Sequence, residues 1–146
     1  MFIGRYEYSL DDKSRVSIPA KFREALSSSA DSRLILTILD GCIAAYPYPE
    51  WLRIQGQISA LGSISRQKRA FLRVYFSRAT ECTFDKLGRV LIPQALKTDA
   101  QIQKNVVIVG VGKKIEVWAK EKWEELVKQA TADPDQVADI VSELGL

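Results

Sequence analysis

The sequence predicts an α+β fold in which two copies of one strand–turn–strand–helix unit share a single core. The stretch Asp11-Asp12-Lys13-Ser14-Arg15-Val16-Ser17-Ile18-Pro19 returns as Asp85-Lys86-Leu87-Gly88-Arg89-Val90-Leu91-Ile92-Pro93, with Asp, Arg, Val, Ile and Pro matching at an offset of 74 residues (85 − 11). Further on, Ile43, Tyr46 and Trp51 correspond to Ile115, Trp118 and Trp123 at an offset of 72 (115 − 43), so a two-residue indel separates the copies. Self-similarity at a fixed period marks repeated supersecondary units. A half of about 50 residues buries too little surface to stand alone, so the two are expected to interlock rather than hang as beads.

Each element follows from local chemistry. Residues 6–10 and 78–84 alternate large or apolar residues with polar ones, the period of a half-buried strand. The Asp then opens a turn by accepting hydrogen bonds from backbone two residues on, and Gly88 supplies a positive φ without steric cost. Arg-Val-x-Ile is a short β-rich run, stopped by Pro19 and Pro93, which are well placed to start helices. Residues 19–26 read as a short helix with Phe22 and Leu26 facing inward, and 27–32 as a polar loop. Residues 34–39 and 42–46 form a hairpin closed by Asp40-Gly41; 106–109 and 115–118 repeat it around a turn containing Gly110 and Gly112. Pro47 and Pro49 break the pattern, and a helix runs from Trp51 to roughly Leu61. Ser65 caps another at 66–75, with Phe71, Leu72 and Tyr75 inside and Arg66, Lys68, Arg69 and Arg73 outside. The second half's equivalent helix runs from 119 to about 130 and stops at Asp133-Pro134. Val137, Ile140, Val141 and Leu144 then give a last amphipathic helix, expected to pack on its own body or on a neighbour.

An apolar fraction of 47% with 27% charged residues is ordinary for a soluble globular protein of 146 residues. No apolar run approaches the ~20 residues of a membrane-spanning helix, and Met1-Phe2-Ile3-Gly4-Arg5 lacks a signal-peptide core, which argues for a cytoplasmic protein. Cys42 and Cys82 lack a CxxC partner and read as buried thiols in a reducing compartment. The absence of histidine excludes a histidine general base, a Ser-His-Asp triad and a Cys/His zinc site. No catalytic residue, metal or cofactor is assigned, and the chain is not expected to be an enzyme. The net charge of +3 is unevenly spread: no Lys or Arg follows Lys128, whereas Asp133, Asp135, Asp139 and Glu143 do, so residues 1–128 carry +7 and the tail −4. A basic body suits a polyanionic partner.

Arg15 and Arg89 each stand four residues after the turn Asp. The plainest account of such a pair is a salt bridge pinning the turn, worth roughly 0–1 kcal/mol when exposed. Its doubling within one chain favours instead a symmetric surface that presents two arginines.

Asp-x-x-(Gly/Ser)-Arg-Val-x-Ile-Pro in both halves, with the strand pairs and tryptophans downstream, resembles the MraZ family of bacterial transcriptional regulators over essentially the whole chain. The resemblance implies two SpoVT-AbrB-type half-domains, at 5–49 and 78–121, with a helical connection at 50–77 and a C-terminal helical extension at 122–146. They would fold as a pseudo-two-fold swapped-hairpin β-barrel with added helices after each half. It further implies a ring of about eight or more subunits that binds direct repeats in double-stranded DNA of its own promoter, at the division and cell-wall gene cluster, in the cytoplasm and associated with the nucleoid. Arg15 and Arg89 are then the expected DNA-contacting residues, with Lys13 and Lys86 beside them. Asp11, Ser14, Asp85 and Gly88 shape the turns. Ser14 stands where the family usually has Gly. Either it carries a cost of about 1 kcal/mol for a positive φ, or its turn differs and the two arginines are presented unequally. No small-molecule ligand and no membrane are implied.

Two other classes compete. An AbrB-like, antitoxin-type module would bind a protein partner, docking through 137–144. A magnesium-dependent nuclease would use Asp11, Asp12 and Asp85, but each of these carboxylates is better explained as a turn former.

Overall fold

Apolar runs pair into one antiparallel six-stranded sheet and a separate two-stranded ribbon in the computed structural model, which describes residues 1–28 and 31–146. The elements in chain order are β1 (Phe2–Ser9), β2 (Arg15–Ser17), α1 (Ala20–Ser27), β3 (Leu34–Leu39), β4 (Cys42–Pro47), α2 (Tyr48–Ser59) and α3 (Arg66–Arg78). The second half adds β5 (Thr80–Cys82), β6 (Arg89–Leu91), α4 (Gln94–Asp99), β7 (Asn105–Gly112), β8 (Ile115–Ala119), α5 (Lys120–Ala130) and α6 (Pro134–Leu144). The sheet runs β1-β7-β8-β4-β3-β5, and the ribbon is β2-β6. The expected loop at 27–32 falls partly outside the described residues, and Ser27 closes α1.

The order shows how the halves interlock. Each hairpin, β3–β4 or β7–β8, is extended by the first strand of the other half: β1 pairs with β7 (Tyr8↔Val106) and β5 with β3 (Cys82↔Leu34). These two registers are equivalent under the repeat offsets. The strands flanking each motif turn therefore do not pair with one another, as the local sequence suggests; β2 pairs instead with β6, Val16 opposite Val90. An apolar core gathers equivalent residues from both copies, Val16 with Val90, Ile18 with Ile92, Phe22 with Leu96 and Leu26 with Ala100. On the other sheet face Trp51 and Tyr75 cover Ile35, Ala44 and Tyr46, while Trp118 with Trp123 covers Cys42, Val107 and Val109.

Several boundaries depart from the sequence expectation. Residue 78 ends α3 rather than starting a strand, because Arg78 donates to Asp99 (Nε to Oδ2, 2.5 Å) and the helix stays docked through Tyr75. β5 is only three residues long. Phe71, expected inside, is 49% exposed. The second hairpin turns at Lys113 and Lys114, and Gly110 lies within β7. Cys42 and Cys82 are buried and unpaired, and burial pushes the Cys82 thiol up to about 11.

Gly110 is where β1 crosses β7. A Cβ there would sit against the backbone nitrogen of Ile3 and 2.5 Å from the carbonyl carbon of Phe2. Backbone cannot swing aside as a side chain does, so Gly110→Ala is expected to destabilise the fold by about 1–3 kcal/mol. Thermal unfolding of the variant measures it, and an unchanged midpoint would refute this account of the crossing.

Candidate nucleic-acid interface

The two motif turns are superimposable in their chemistry. Asp11 Oδ1 accepts the backbone N–H groups of Lys13 (3.0 Å) and Arg15 (2.8 Å), while Oδ2 accepts Arg15 Nε at 2.8 Å. Asp85 repeats the set: Oδ1 accepts from Leu87 and Arg89, both at 2.9 Å, and Oδ2 from Arg89 Nε at 2.8 Å. Each turn also closes through backbone, with Ser14 N–H donating to Asp11 and Gly88 N–H to Asp85. The Arg15 and Arg89 backbone bonds lead among the causes that hold Asp11 and Asp85 below the ordinary carboxylate value of 3.8.

Ser14 adopts φ 60° and Gly88 φ 76°. The position needs a left-handed residue in both halves, and in the first half serine supplies it at a cost of about 1 kcal/mol. The carbonyl so presented is captured by the other half: Ile18 N–H donates to Gly88 O (3.1 Å), and Ile92 N–H to Ser14 O (2.8 Å).

Because side chains alternate along a strand, Val16 and Val90 enter the core while Arg15, Ser17, Arg89 and Leu91 occupy the outer face of the ribbon. Both arginines are anchored through Nε. Arg89 Nη1 also reaches Asp11 Oδ2 at 3.4 Å, across the repeat. The terminal nitrogens of Arg15 and Nη2 of Arg89 make no hydrogen bond among the described residues. Lys13 and Lys86 are exposed at the turns. They are not equivalent: Lys13 corresponds to Leu87, itself 68% exposed, and Lys86 to Asp12.

Both oxygens of Asp11 and Asp85 are consumed within the turns. No group of three or more His, Cys, Asp or Glu residues suited to a metal assembles among the described residues. The carboxylates thus act on the backbone and the arginines. Sequence reasoning missed two cations at this site, Arg23 on α1 and Lys97 on α4. Each lies against the turn of the other half, and the shared offset of 74 (97 − 23) was the available signal.

A chain whose charged ribbon takes one strand from each of two swapped copies is a tandem-repeat protein with a single composite surface. The family model described as "MraZ protein, putative antitoxin-like" matches it twice, over residues 1–74 and 75–139, and the chain belongs to this family. Relatives named transcriptional regulator MraZ include that of Pediococcus pentosaceus, 42% identical with all of both chains covered. That of Clostridium tetani is 45% identical, again with all of both chains covered. That of Pelotomaculum thermopropionicum is 42% identical over all of this chain and 99% of the relative.

The Asp85 carboxylate stabilises its turn more strongly when ionised. Its value is lowered on folding, so the contribution is complete above the unfolded value of 3.8 and lost as pH falls through the lower folded value. Asp85→Asn keeps an acceptor oxygen but no charge. Thermal unfolding from about pH 6 to about pH 2 is expected to show a lower midpoint than wild type at neutrality and a shallower fall in acid. Parallel curves would mean that the charge contributes nothing.

Proposed function

We propose that this chain is a promoter-binding transcriptional regulator, not an enzyme, and that it reads double-stranded DNA with the outer face of the β2–β6 ribbon. The carrying observation is that Arg15 and Arg89 share that face with their Nε atoms fixed, while both terminal nitrogens of Arg15 and Nη2 of Arg89 are uncommitted among the described residues. A β-ribbon fits the major groove, and arginine paired with guanine is the commonest specific contact. Lys13 and Lys86, at the turns beside them, supply phosphate contacts. The names of the relatives support regulation, and the basic body supports a polyanionic partner. On this reading the half-domains at 5–49 and 78–121 close as a swapped-hairpin barrel, supported by the reciprocal Ile18 and Ile92 bonds, with 50–77 and 122–146 as helical additions. The protein works in the cytoplasm at the nucleoid.

One protomer offers few cations, so a single site binds weakly. A ring of about eight or more subunits on direct repeats in the promoter of its own cell-division and cell-wall cluster gains by effective concentration, roughly 10²–10⁴. Two exposed helix faces support such assembly. α3 carries Phe71 and Val74 among Arg66, Lys68, Arg69 and Arg73; α6 carries Ile140, Val141 and Leu144 among Asp135, Asp139 and Glu143. Complementary faces on different elements make a head-to-tail contact, which generates rings.

Arg15→Ala and Arg89→Ala are each expected to weaken binding to the promoter upstream of the protein's own gene at least tenfold, about 1.4 kcal/mol. Gel shifts on probes with one, two and three repeats should show affinity climbing steeply with repeat number. Repeat-independent binding that both variants retain and that salt alone abolishes would mean generic polyanion affinity.

Ile140→Asp with Leu144→Asp is expected to reduce the particle to a monomer in analytical ultracentrifugation while leaving its circular dichroism unchanged. A monomeric wild type would instead bring forward an antitoxin-type module, for which α6, exposed over nearly its whole length, is the docking element. Partner capture that survives loss of both arginines but not of 131–146 would establish that second reading.

A further inference from the structure

The two helix cations Arg23 and Lys97 reach the other half's turn in different ways. Arg23 donates from Nε to Ile18 O at 3.1 Å, which lays its guanidinium over Gly88. A Cβ at position 88 would lie 2.5 Å from its Nη1, 2.6 Å from Cζ and 2.7 Å from Nε. Its counterpart Lys97 instead places Nζ 3.1 Å from Ser14 Oγ, donating to the hydroxyl. The flat guanidinium is thus matched with a turn residue that has no side chain, and the narrow ammonium with one that offers an acceptor. Each turn residue also gives its carbonyl to the other half's Ile and stands one residue before the ribbon arginine.

We infer that Arg23 and Lys97 are positioning residues, each setting the turn that aims the other half's ribbon arginine, and that Arg23–Gly88 and Lys97–Ser14 are exchangeable only as pairs. This rests on the reading of Arg15 and Arg89 as the DNA contacts. The serine at position 14 is then part of a fit. Its hydroxyl is what lysine at 97 requires, as the bare backbone at 88 is what arginine at 23 requires. The backbone tolerates serine here, since Ser14 already holds φ 60°. Serine at 88 would therefore displace the Arg23 side chain and leave the fold intact.

The test is a pair of swaps in the full-length protein, with promoter DNA of three repeats and a scrambled duplex as probes over a range of salt. Gly88→Ser is expected to lower promoter affinity about tenfold, the scale of coupling between contacting side chains. Adding Arg23→Lys should restore it to within about threefold of wild type. Lys97→Arg should behave as Gly88→Ser does, with Ser14→Gly as its rescue. Losses that simply multiply in the doubles overturn the proposal. Arg23→Ala and Lys97→Ala should reduce the ratio of promoter to scrambled binding; equal weakening on both duplexes, with the salt slope reduced by about one per cation, would make them phosphate contacts and overturn it too. Thermal unfolding of the same variants without DNA separates the two ideas. Pair coupling seen in unfolding but not in binding marks a purely structural strut and also overturns the positioning role. Wild-type affinity of Arg15→Ala and Arg89→Ala removes the ribbon reading itself.

Discussion

Two reciprocal hydrogen bonds, Ile18 N–H to Gly88 O and Ile92 N–H to Ser14 O, are the joint on which this architecture hangs. Each links a residue leaving the ribbon in one half to the motif turn of the other. The left-handed conformation at positions 14 and 88 aims those carbonyls at the opposite half. Without that backbone twist the strands after the turns would fold back on β1 and β5, and each half would be an open hairpin with an exposed core. With it, β2 and β6 pair across the repeat and drive Val16, Val90, Ile18 and Ile92 into one shared core. Fully burying side chains of that size contributes about 1.5–3 kcal/mol each. The roughly 1 kcal/mol of strain at Ser14 is small against it.

The turn Asp serves both that joint and the surface. One oxygen gathers two backbone N–H groups, which fixes the turn, and the other holds the arginine Nε, which fixes the guanidinium. An exposed ion pair adds little to stability, so its consequence lies in order. A long side chain already held in one geometry gives up less freedom when it meets a ligand, and the terminal nitrogens are the ones a planar acceptor pair engages. The salt bridge that looked like a rival to a binding role is compatible with one.

Turn chemistry was legible in the sequence because it is local. Asp, Gly and Pro act within four residues, and the Asp40-Gly41 hairpin and the Ser65 cap act within three. Strand partnership was not legible in the residues themselves and was expected only through the family resemblance, since β1 and β5 are equally good neighbours for a hairpin in either half and only the shared core selects the swap. The end of α3 was misjudged because alternation at 78–84 resembles a strand. The Arg78–Asp99 pair, 21 residues apart, keeps position 78 helical. Phe71 fits a helical apolar stripe, yet α3 rests on the sheet through Tyr75, whose ring stacks on Trp51, and Phe71 is left on the outer side. Arg23 and Lys97 lay at the motif's own offset, but the turns they brace belong to the other half, so no local pattern marked them.

Pseudo-symmetry in the backbone does not extend to the tips. The first turn exposes Asp12 and Lys13, which cancel; the second exposes Lys86 and Leu87, which leave one positive charge and a bare apolar side chain. Beneath them, one turn is braced by a guanidinium and the other by an ammonium. The scaffold repeats because the core requires two equivalent halves. Exposed tips carry no such requirement, and the copies differ there. A duplex lying across the ribbon would meet two different surfaces in a fixed order. It would therefore be read with a direction, and directional sites in head-to-tail array are what a ring of like-oriented subunits matches.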